Sequence, residues 1–303
     1  MAVNWIDLLD PTADELRSSA PRQLEESAFE LLLQQPEHED EPRPTLQGHG
    51  DYVFGVFLSA VVVREEDRVY YQEIDVVLTH DTILTVRKTP QGCHPYEIEP
   101  LRESVKPTDS PGMVAYRLVD DIAERYLDLI DDLDEEIDEL EDRVETSPPE
   151  ATRARVSELR HDLLHIRRTL TPMRDAVRRV VDDVVDVENG KEVFPHAVEV
   201  AFNGAYDKFL RATDGLDLAR DLLAGVRDYL QAKIANDQNE VMKRLTAIAS
   251  LLLLPTFIVG LYGQNFQHRF PELHWRWGYP YSWGLIIVTT LIQLWFFRRK
   301  RWI

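Results

Sequence analysis

The sequence contains very little cysteine and has no excess of basic charge. Cys93 is the only cysteine among 303 residues, so no intrachain disulfide can form and a reducing compartment is favoured. Acidic residues outnumber basic ones by 54 to 34, and the formal net charge of −20 argues against nucleic-acid binding. We find no glycine-rich phosphate loop and no nucleophile–base pair, so an enzyme is not expected.

Two stretches near the C-terminus contain no charged residue at all, from Leu245 to Gln267 and from Trp277 to Phe297. About 20 apolar helical residues cross a bilayer, so both stretches are predicted to span a membrane. Basic residues flank this pair at Lys243-Arg244 and at 298–301, and clustered Lys and Arg favour the cytoplasmic side. The N-terminus has no basic, apolar leader, so no cleaved signal peptide is expected. We therefore expect a multi-pass protein of the plasma or inner membrane with both termini in the cytoplasm.

Residues 1–118 are predicted to form an α/β cytoplasmic domain. Short helical patterns cover 12–18 and 21–35, and a Pro- and Glu-rich linker follows at 36–44. Residues rich in β-branched and aromatic side chains then predict strands at 52–58, 69–78 and 82–86, with a hairpin turn at His80-Asp81.

Residues 119–195 are predicted to form a helical hairpin with one acidic and one basic helix. Eleven of the eighteen residues in 128–145 are Asp or Glu, and an apolar stripe at spacings of three and four runs through them: Leu129, Leu133, Ile137, Leu140 and Val144. The segment after Pro148-Pro149 is rich in Arg. Opposite charges on paired helices need no ligand, although an acidic helix also concentrates cations. His161 and His165, on the basic helix, are interpreted as structural residues of a packing helix.

Residues 196–263 are predicted to form one long helix that continues into the first span at about 245–263. Asn239, Met242, Leu245, Ala249 and Leu253 share one face of it, and Asp228 lies three turns earlier on about the same face. Around a symmetry axis this face would present a carboxylate ring, an amide ring and then apolar rings. Ordinary helix packing explains the same spacing. Residues 264–278 form an external loop, 279–297 the second span and 298–303 a basic tail.

The two spans offer oxygen ligands but no thiolate, imidazole or carboxylate. Zinc sites normally use those missing groups, whereas magnesium prefers oxygen and keeps much of its hydration shell. The oxygen donors are Asn265, the Gly263 carbonyl, Thr246 and Thr256. This chemistry favours a hydrated hard cation.

The C-terminal quarter resembles the CorA-type magnesium transporters. The residues that carry the resemblance are Tyr262-Gly263-Gln264-Asn265-Phe266, Pro271 to Leu273, Trp275 to Pro280, the basic run ending in Trp302, Asn239 to Thr246 and Pro255 to Ile258. The resemblance implies a homopentamer with a cytoplasmic funnel and a channel-like path for divalent cations, chiefly magnesium with cobalt or nickel as companions. The partners implied are further copies of the chain, the lipid bilayer and the ions, with no cofactor beyond magnesium as transported and regulatory ion.

Site residues follow from the same resemblance. Gly263, Gln264 and Asn265 occupy the ion entrance. Asp228 matches a pore carboxylate, and the pore-lining positions are Asn239, Met242, Leu245, Thr246, Ala249, Leu253 and Thr256.

Two departures from the family pattern concern ion preference and regulation. The family has Gly-Met-Asn where this chain has Gln264 in the middle. A regulatory Asp of the family matches Gly204, and Asp207, one turn further on, is the substitute candidate or an ordinary surface charge. A ZntB-like zinc transporter and a non-conducting membrane-tethered sensor or scaffold are therefore the alternatives.

Overall fold

The computed structural model describes residues 3–22, 24–35, 43–63, 68–187, 192–264 and 276–303. The chain divides into two compact units, Met1–Arg227 and Asp228–Ile303. The predicted linker at 36–44 lies outside the described residues except for Arg43 and Pro44. Most of the predicted external loop, from 265 to 275, lies outside them too.

A five-stranded sheet forms the centre of the first unit. Its strands are β1 (Asn4–Leu9), β2 (Thr45–Gly48), β3 (Val53–Val63), β4 (Arg68–Leu78) and β5 (Thr82–Lys88), in the spatial order β1-β5-β4-β3-β2. β1 runs parallel to β5, and the other neighbours are antiparallel. The three predicted strands and the turn at His80-Asp81 are confirmed, and Thr79 closes that turn by bonding both Thr82 and Asp81. β1 and β2 were not predicted.

Two short helices, α1 (Ala13–Ser19) and α2 (Glu26–Leu33), cover one face of the sheet. Thr12 and Glu15 cap α1 reciprocally, which satisfies backbone donors at its first turn. Leu16, Phe29 and Leu32 are buried against the sheet residues Tyr52, Phe54, Val56, Val77, Leu84 and Val86. This small apolar core holds the N-terminal region on the sheet.

The short helix α3 (Glu99–Ser104) follows the sheet. The helical hairpin comes next in the same unit and consists of α4 (Pro111–Thr146) and α5 (Pro149–Val181). The Tyr126 hydroxyl lies 3.2 Å from both the Leu58 carbonyl of β3 and the Thr169 hydroxyl of α5, so it joins three elements. The predicted apolar stripe from Leu129 to Val144 is buried throughout. Glu136 and Arg155 form an ion pair between the two helices with N and O 2.5 Å apart. α4 runs without interruption from Pro111 to Thr146, so the predicted boundary between residues 118 and 119 falls inside this helix.

The remaining helices are α6 (His196–Tyr262) and α7 (Gly278–Arg299). α6 is continuous through 67 residues, with Pro255 inside it. In the first unit its buried residues recur at helical spacing: Val198, Phe202, Ala205, Phe209, Ala212, Leu216, Ala219 and Leu223. The second unit contains the rest of α6, from Asp228, and α7.

Three charged side chains lie buried under α2 on the sheet. Lys88 contacts Glu73 at 2.5 Å and Asp75 at 2.8 Å, and its ammonium also donates to the Leu31 carbonyl. The side chains are 6%, 4% and 1% exposed, respectively. Burial, together with the Glu73 carboxylate, raises the pKa of Asp75, although the Lys88 ammonium opposes this shift. Burial also lowers the pKa of Lys88, but the two carboxylates raise it by more, so the pKa of Lys88 is raised overall. The cluster therefore holds its carboxylates only because the lysine is present.

Replacing Lys88 by Met is expected to lower the free energy of unfolding by about 3–5 kcal/mol, because two carboxylates stay buried without a cation. The loss should shrink at acidic pH. A carboxyl whose pKa is raised in the folded state contributes stability below its unfolded pKa and loses that contribution as the pH rises. Unfolding in denaturant at pH 5 and pH 8 measures both effects.

Arg143→Met is the matched control, since Arg143 pairs with Glu139 on the exposed surface of α4. It should change stability by no more than about 1 kcal/mol at either pH. Equal losses for the two variants would contradict the assigned role of Lys88.

Candidate functional site

α6 carries nearly all the residues predicted to contact an ion. Asp207, Asp228, Asn239, Met242, Leu245, Thr246, Ala249, Leu253 and Thr256 lie on it, and Gly263 and Gln264 follow its last turn. Asn265, the main residue of the predicted entrance, lies outside the described residues.

One side of the apolar part of α6 faces α7. The Gln293 side chain donates to the Ser250 carbonyl at 3.4 Å, and Ala247 and Ile258 on the same side of the helix are buried. At 3.6 residues per turn, positions 247, 250, 254 and 258 form one stripe. This stripe is the contact between the two predicted spans.

The candidate pore-lining residues lie on a different side of α6 and are exposed in the single chain. Met242 and Leu253 are 58% and 71% exposed, and Asn239 and Ala249 are exposed as well. Asp228 continues this side in the polar part of the helix and is exposed too. The structure therefore brings these residues onto one open surface, which we call the α6 face.

The hydroxyl of Thr256 donates to the Leu252 carbonyl at 2.7 Å. Pro255 has no backbone N–H to donate to the Leu251 carbonyl, and the Thr256 bond goes to the next carbonyl along the helix instead. The hydroxyl oxygen keeps its capacity to accept, and it stays available as an oxygen ligand beside the α6 face.

α6 ends at Tyr262, and the Gly263 amide closes its last turn on the Val259 carbonyl at 2.9 Å. A Cβ at Gly263 would lie 3.1 Å from that carbonyl oxygen, closer than ordinary van der Waals contact. The exposed Gln264 follows directly. Because glycine has no Cβ, the chain can leave the helix at this position while it stays close to the Val259 carbonyl.

The end of α7 has the composition of a membrane–water boundary. Arg299 lies over the ring of Trp295, 5.4 Å from its centroid, and Trp302 stacks on Phe297 with their centroids 5.7 Å apart. A positive φ of 54° at Arg301 turns the chain back so that this stacking can form. Aromatic and basic side chains are enriched at such boundaries.

Asp207 is exposed on α6 in the first unit. Its neighbour Lys208 instead pairs with Asp120 and Glu124 of α4, each at 2.6 Å. A Cβ added at Gly204 would meet no atom within 4 Å. Throughout the described part of the chain, no three His, Cys, Asp or Glu side chains are placed together to hold a metal.

His161 and His165, interpreted as structural residues of a packing helix, lie outside the buried side of α5. α5 does pack through Val156, Leu159, Leu163 and Ile166, but His161 is exposed and His165 is half-buried beside it. Burial first, and then the neighbouring His161 and Arg168, lower the pKa of His165. Helical spacing could have shown this, because both histidines fall between the apolar positions.

α6 and α7 are both long and apolar enough to cross a membrane. Only 11% of the most apolar part of α6 and 6% of that of α7 are buried, unlike the core helices of a soluble domain. A sequence model of the family described as CorA-like Mg2+ transporter protein matches residues 1–299. The chain belongs to the CorA family. It is therefore a member of a family of membrane transporters for divalent cations. As predicted, this family is not one of enzymes.

Individual CorA proteins agree with this membership. The cobalt/magnesium transport protein CorA of Thermotoga maritima is 29% identical over 267 residues, which cover 86% of this chain and 73% of that protein. The structure of the CorA magnesium transporter from Methanocaldococcus jannaschii superimposes with a TM-score of 0.78 at 20% identity, covering 99% of this chain and 91% of that one. This likeness confirms the predicted fold: an α/β domain, a long helix and two C-terminal apolar helices.

A more distant likeness is to the cytoplasmic domain of ZntB from Vibrio parahaemolyticus. Its TM-score is 0.56 at 16% identity, with 78% of this chain and 90% of that domain covered. At such identity only the fold is shared. The CorA entrance and pore-lining assignments to individual residues stay predictions.

Replacing Ala247 by Leu is expected to destabilise the contact between α6 and α7 by about 1–3 kcal/mol, because a larger side chain has no room in a buried helix contact. Ala249→Leu, two residues away on the exposed α6 face, adds the same volume outside that contact. Thermal unfolding of the detergent-solubilised protein should show a lower Tm for the first variant than for the second. Equal Tm values would contradict the division of α6 into these two sides.

Proposed function

We propose that the protein takes up hydrated divalent cations, chiefly magnesium with cobalt or nickel as companions, through a homopentameric pore lined by the first span. The α6 face is the observation that carries the proposal. It places a carboxylate and an amide, Asp228 and Asn239, in line with the apolar residues Met242, Leu245 and Leu253. Polar rings can bind a passing ion, and apolar rings can gate by excluding water.

Further copies of the chain are required to enclose such a path, since two spans cannot surround it alone. The α6 face is exposed in the single chain from Asp228 to Leu253, so contact with other subunits is the expected way to cover it. α6 also exposes three leucines in the first unit, Leu210, Leu218 and Leu222, which offer further apolar surface for subunit contact.

Both basic flanks are proposed to face the cytoplasm of a cell membrane. Lys243-Arg244 precedes the first span, and 298–301 follows the second. The first unit is then cytoplasmic, and the segment after Gly263 is external. In that orientation a negative potential inside the cell drives cations inward by about 2.3 kcal/mol per charge per 100 mV.

Oxygen chemistry favours magnesium as the substrate. The apolar spans contain no Asp, Glu, His or Cys, and magnesium exchanges its waters reluctantly, so amide and carbonyl oxygens suffice to contact its hydration shell. Gly263, Gln264 and Asn265 supply such oxygens at the proposed entrance. No resident cofactor is proposed, and magnesium itself is the proposed regulatory ion, with Asp207 as a candidate ligand between subunits.

A ZntB-like zinc transporter is the second candidate. It is favoured by Gln264, which replaces the Met of the CorA signature, and it fits the fold shared with the ZntB cytoplasmic domain. Liposomes containing the purified protein and an internal indicator would separate the two substrates, with magnesium, cobalt, nickel and zinc each added outside. Faster magnesium influx supports the proposal, and faster zinc influx overturns the substrate. No influx of any ion by an intact oligomer would instead indicate a non-conducting sensor or scaffold.

Asn265→Ala and Asn239→Ala are each expected to reduce magnesium influx about tenfold or more, because each removes a ring of amide oxygens from the ion path. Fluorescence of an indicator in the same liposomes measures the rate. Asn236→Ala is the matched control, since Asn236 is exposed on the same helix. At about 100° per residue, it is rotated about 60° from Asn239, away from the side of Met242. Equal influx for all three variants and the unmodified protein would contradict the path.

A further inference from the structure

Two imidazole rings meet on the surface of α5, a helix that carries no residue of the proposed ion path. His161 and His165 are one helical turn apart, and their ring centroids are 4.5 Å apart at an interplanar angle of 60°. His161 is exposed and His165 is half-buried, so the pair opens to solvent. Side chains four residues apart on a helix lie on one face, so the helix itself holds the rings together.

This separation fits two ligands of a single ion. Zinc binds imidazole nitrogen at about 2.0–2.1 Å, so the centroids of two rings on one ion lie about 5 Å apart. The observed centroid separation of 4.5 Å is close to that value, so the two rings are near enough to bind one ion. A helical pair of histidines four apart is also the spacing by which zinc is bound in His-x-x-x-His motifs.

The residues around the pair are mixed in charge. Asp162 lies between the histidines in sequence, and Glu158 lies one turn before Asp162. Arg160 and Arg168 are nearby cations, and Arg168, after burial and His161, lowers the pKa of His165. Glu158, Arg160 and Asp162 line a surface depression with Ser157, His161 and Leu164. Glu158 already contacts Arg155 at 3.3 Å. Burial and Glu158 raise the pKa of Asp162, whereas Arg155 and both histidines oppose that shift. All residues lining the depression belong to α5, so the remaining coordination positions are open to water.

We propose that His161 and His165 form a two-ligand site for a divalent transition-metal ion of the zinc, nickel, cobalt or copper type. Among the described residues no third His, Cys, Asp or Glu, Asp162 and Glu158 included, is placed to bind the same ion, so water completes the coordination. Imidazole suits these ions, whereas magnesium and calcium prefer oxygen. The site thus distinguishes transition metals from magnesium, in contrast to the oxygen donors of the spans. It depends on the geometry of α5 alone and not on the proposed transport.

Copper(II) is the sharpest probe, because it binds nitrogen ligands most strongly among these ions and is paramagnetic. The full-length protein in detergent is given one equivalent of copper(II) per chain. Pulsed electron paramagnetic resonance then counts the coordinated imidazoles through their remote nitrogens. We expect two imidazoles per ion in the unmodified protein and one in H161Q or H165Q. Competition with a coloured chelator should show affinity about tenfold lower or weaker in each variant, since one of two protein ligands is lost.

His94→Gln is the matched control, since His94 is an exposed histidine of the same unit, distant in sequence from the pair. It should keep two imidazoles per ion and the original affinity. An excess of magnesium should leave the copper signal unchanged, whereas zinc or nickel in large excess should displace it. Circular dichroism of each variant tests that α5 remains folded. A one-imidazole spectrum in the unmodified protein, or a two-imidazole spectrum that survives H161Q, would overturn the site.

Discussion

The periodicity of a single helix is the constraint on which the rest of the structure depends. α6 is continuous from His196 to Tyr262, and its side chains have to meet several different surroundings. In the first unit Phe202 and Phe209 are buried, and in the second Ala247 and Ile258 are buried on the side that faces α7. At 3.6 residues per turn, these contacts leave another side uncovered, and that side carries the residues of the α6 face. Continuity also satisfies the backbone hydrogen bonds where lipid offers no partner.

Charged side chains have different roles in different parts of the first unit. Under α2, Lys88 pairs with two buried carboxylates. Removing the lysine would leave both carboxylates buried without a cation and would lower the free energy of unfolding. On the hairpin, the many acidic residues of α4 are largely exposed, and Glu136 pairs with Arg155 across to α5. Such surface pairs add little stability, so the apolar stripe from Leu129 to Val144 carries the contact between the helices. The acidic surface stays compatible with a protein whose partners are cations.

Local sequence patterns were enough to predict several elements of the fold. Alternating and β-branched residues indicated β3, β4 and β5, because each forms a hairpin with its neighbour in sequence. β1 and β2 were missed because neither carries a strong local signal: β1 pairs in parallel with β5, nearly eighty residues later, and β2 has only four residues. Asn239 and Met242 were placed together by spacing, and the spacing of the apolar residues of α5 likewise leaves His161 outside its packing side.

The sequence by itself determined the charge-free spans, the helical periodicity of 196–262 and the family signature beginning at Gly263, because these depend only on the order of side chains along the chain. Tertiary structure decided which sides of the helices are covered. Ser250 and Ala247 face α7, Asp228 and Leu253 do not, and His161 meets His165 outside the core. The physical reason is that periodicity defines the faces of a helix but not their neighbours. Burial depends on contacts between residues that are distant in sequence, and those exist only once the chain has folded.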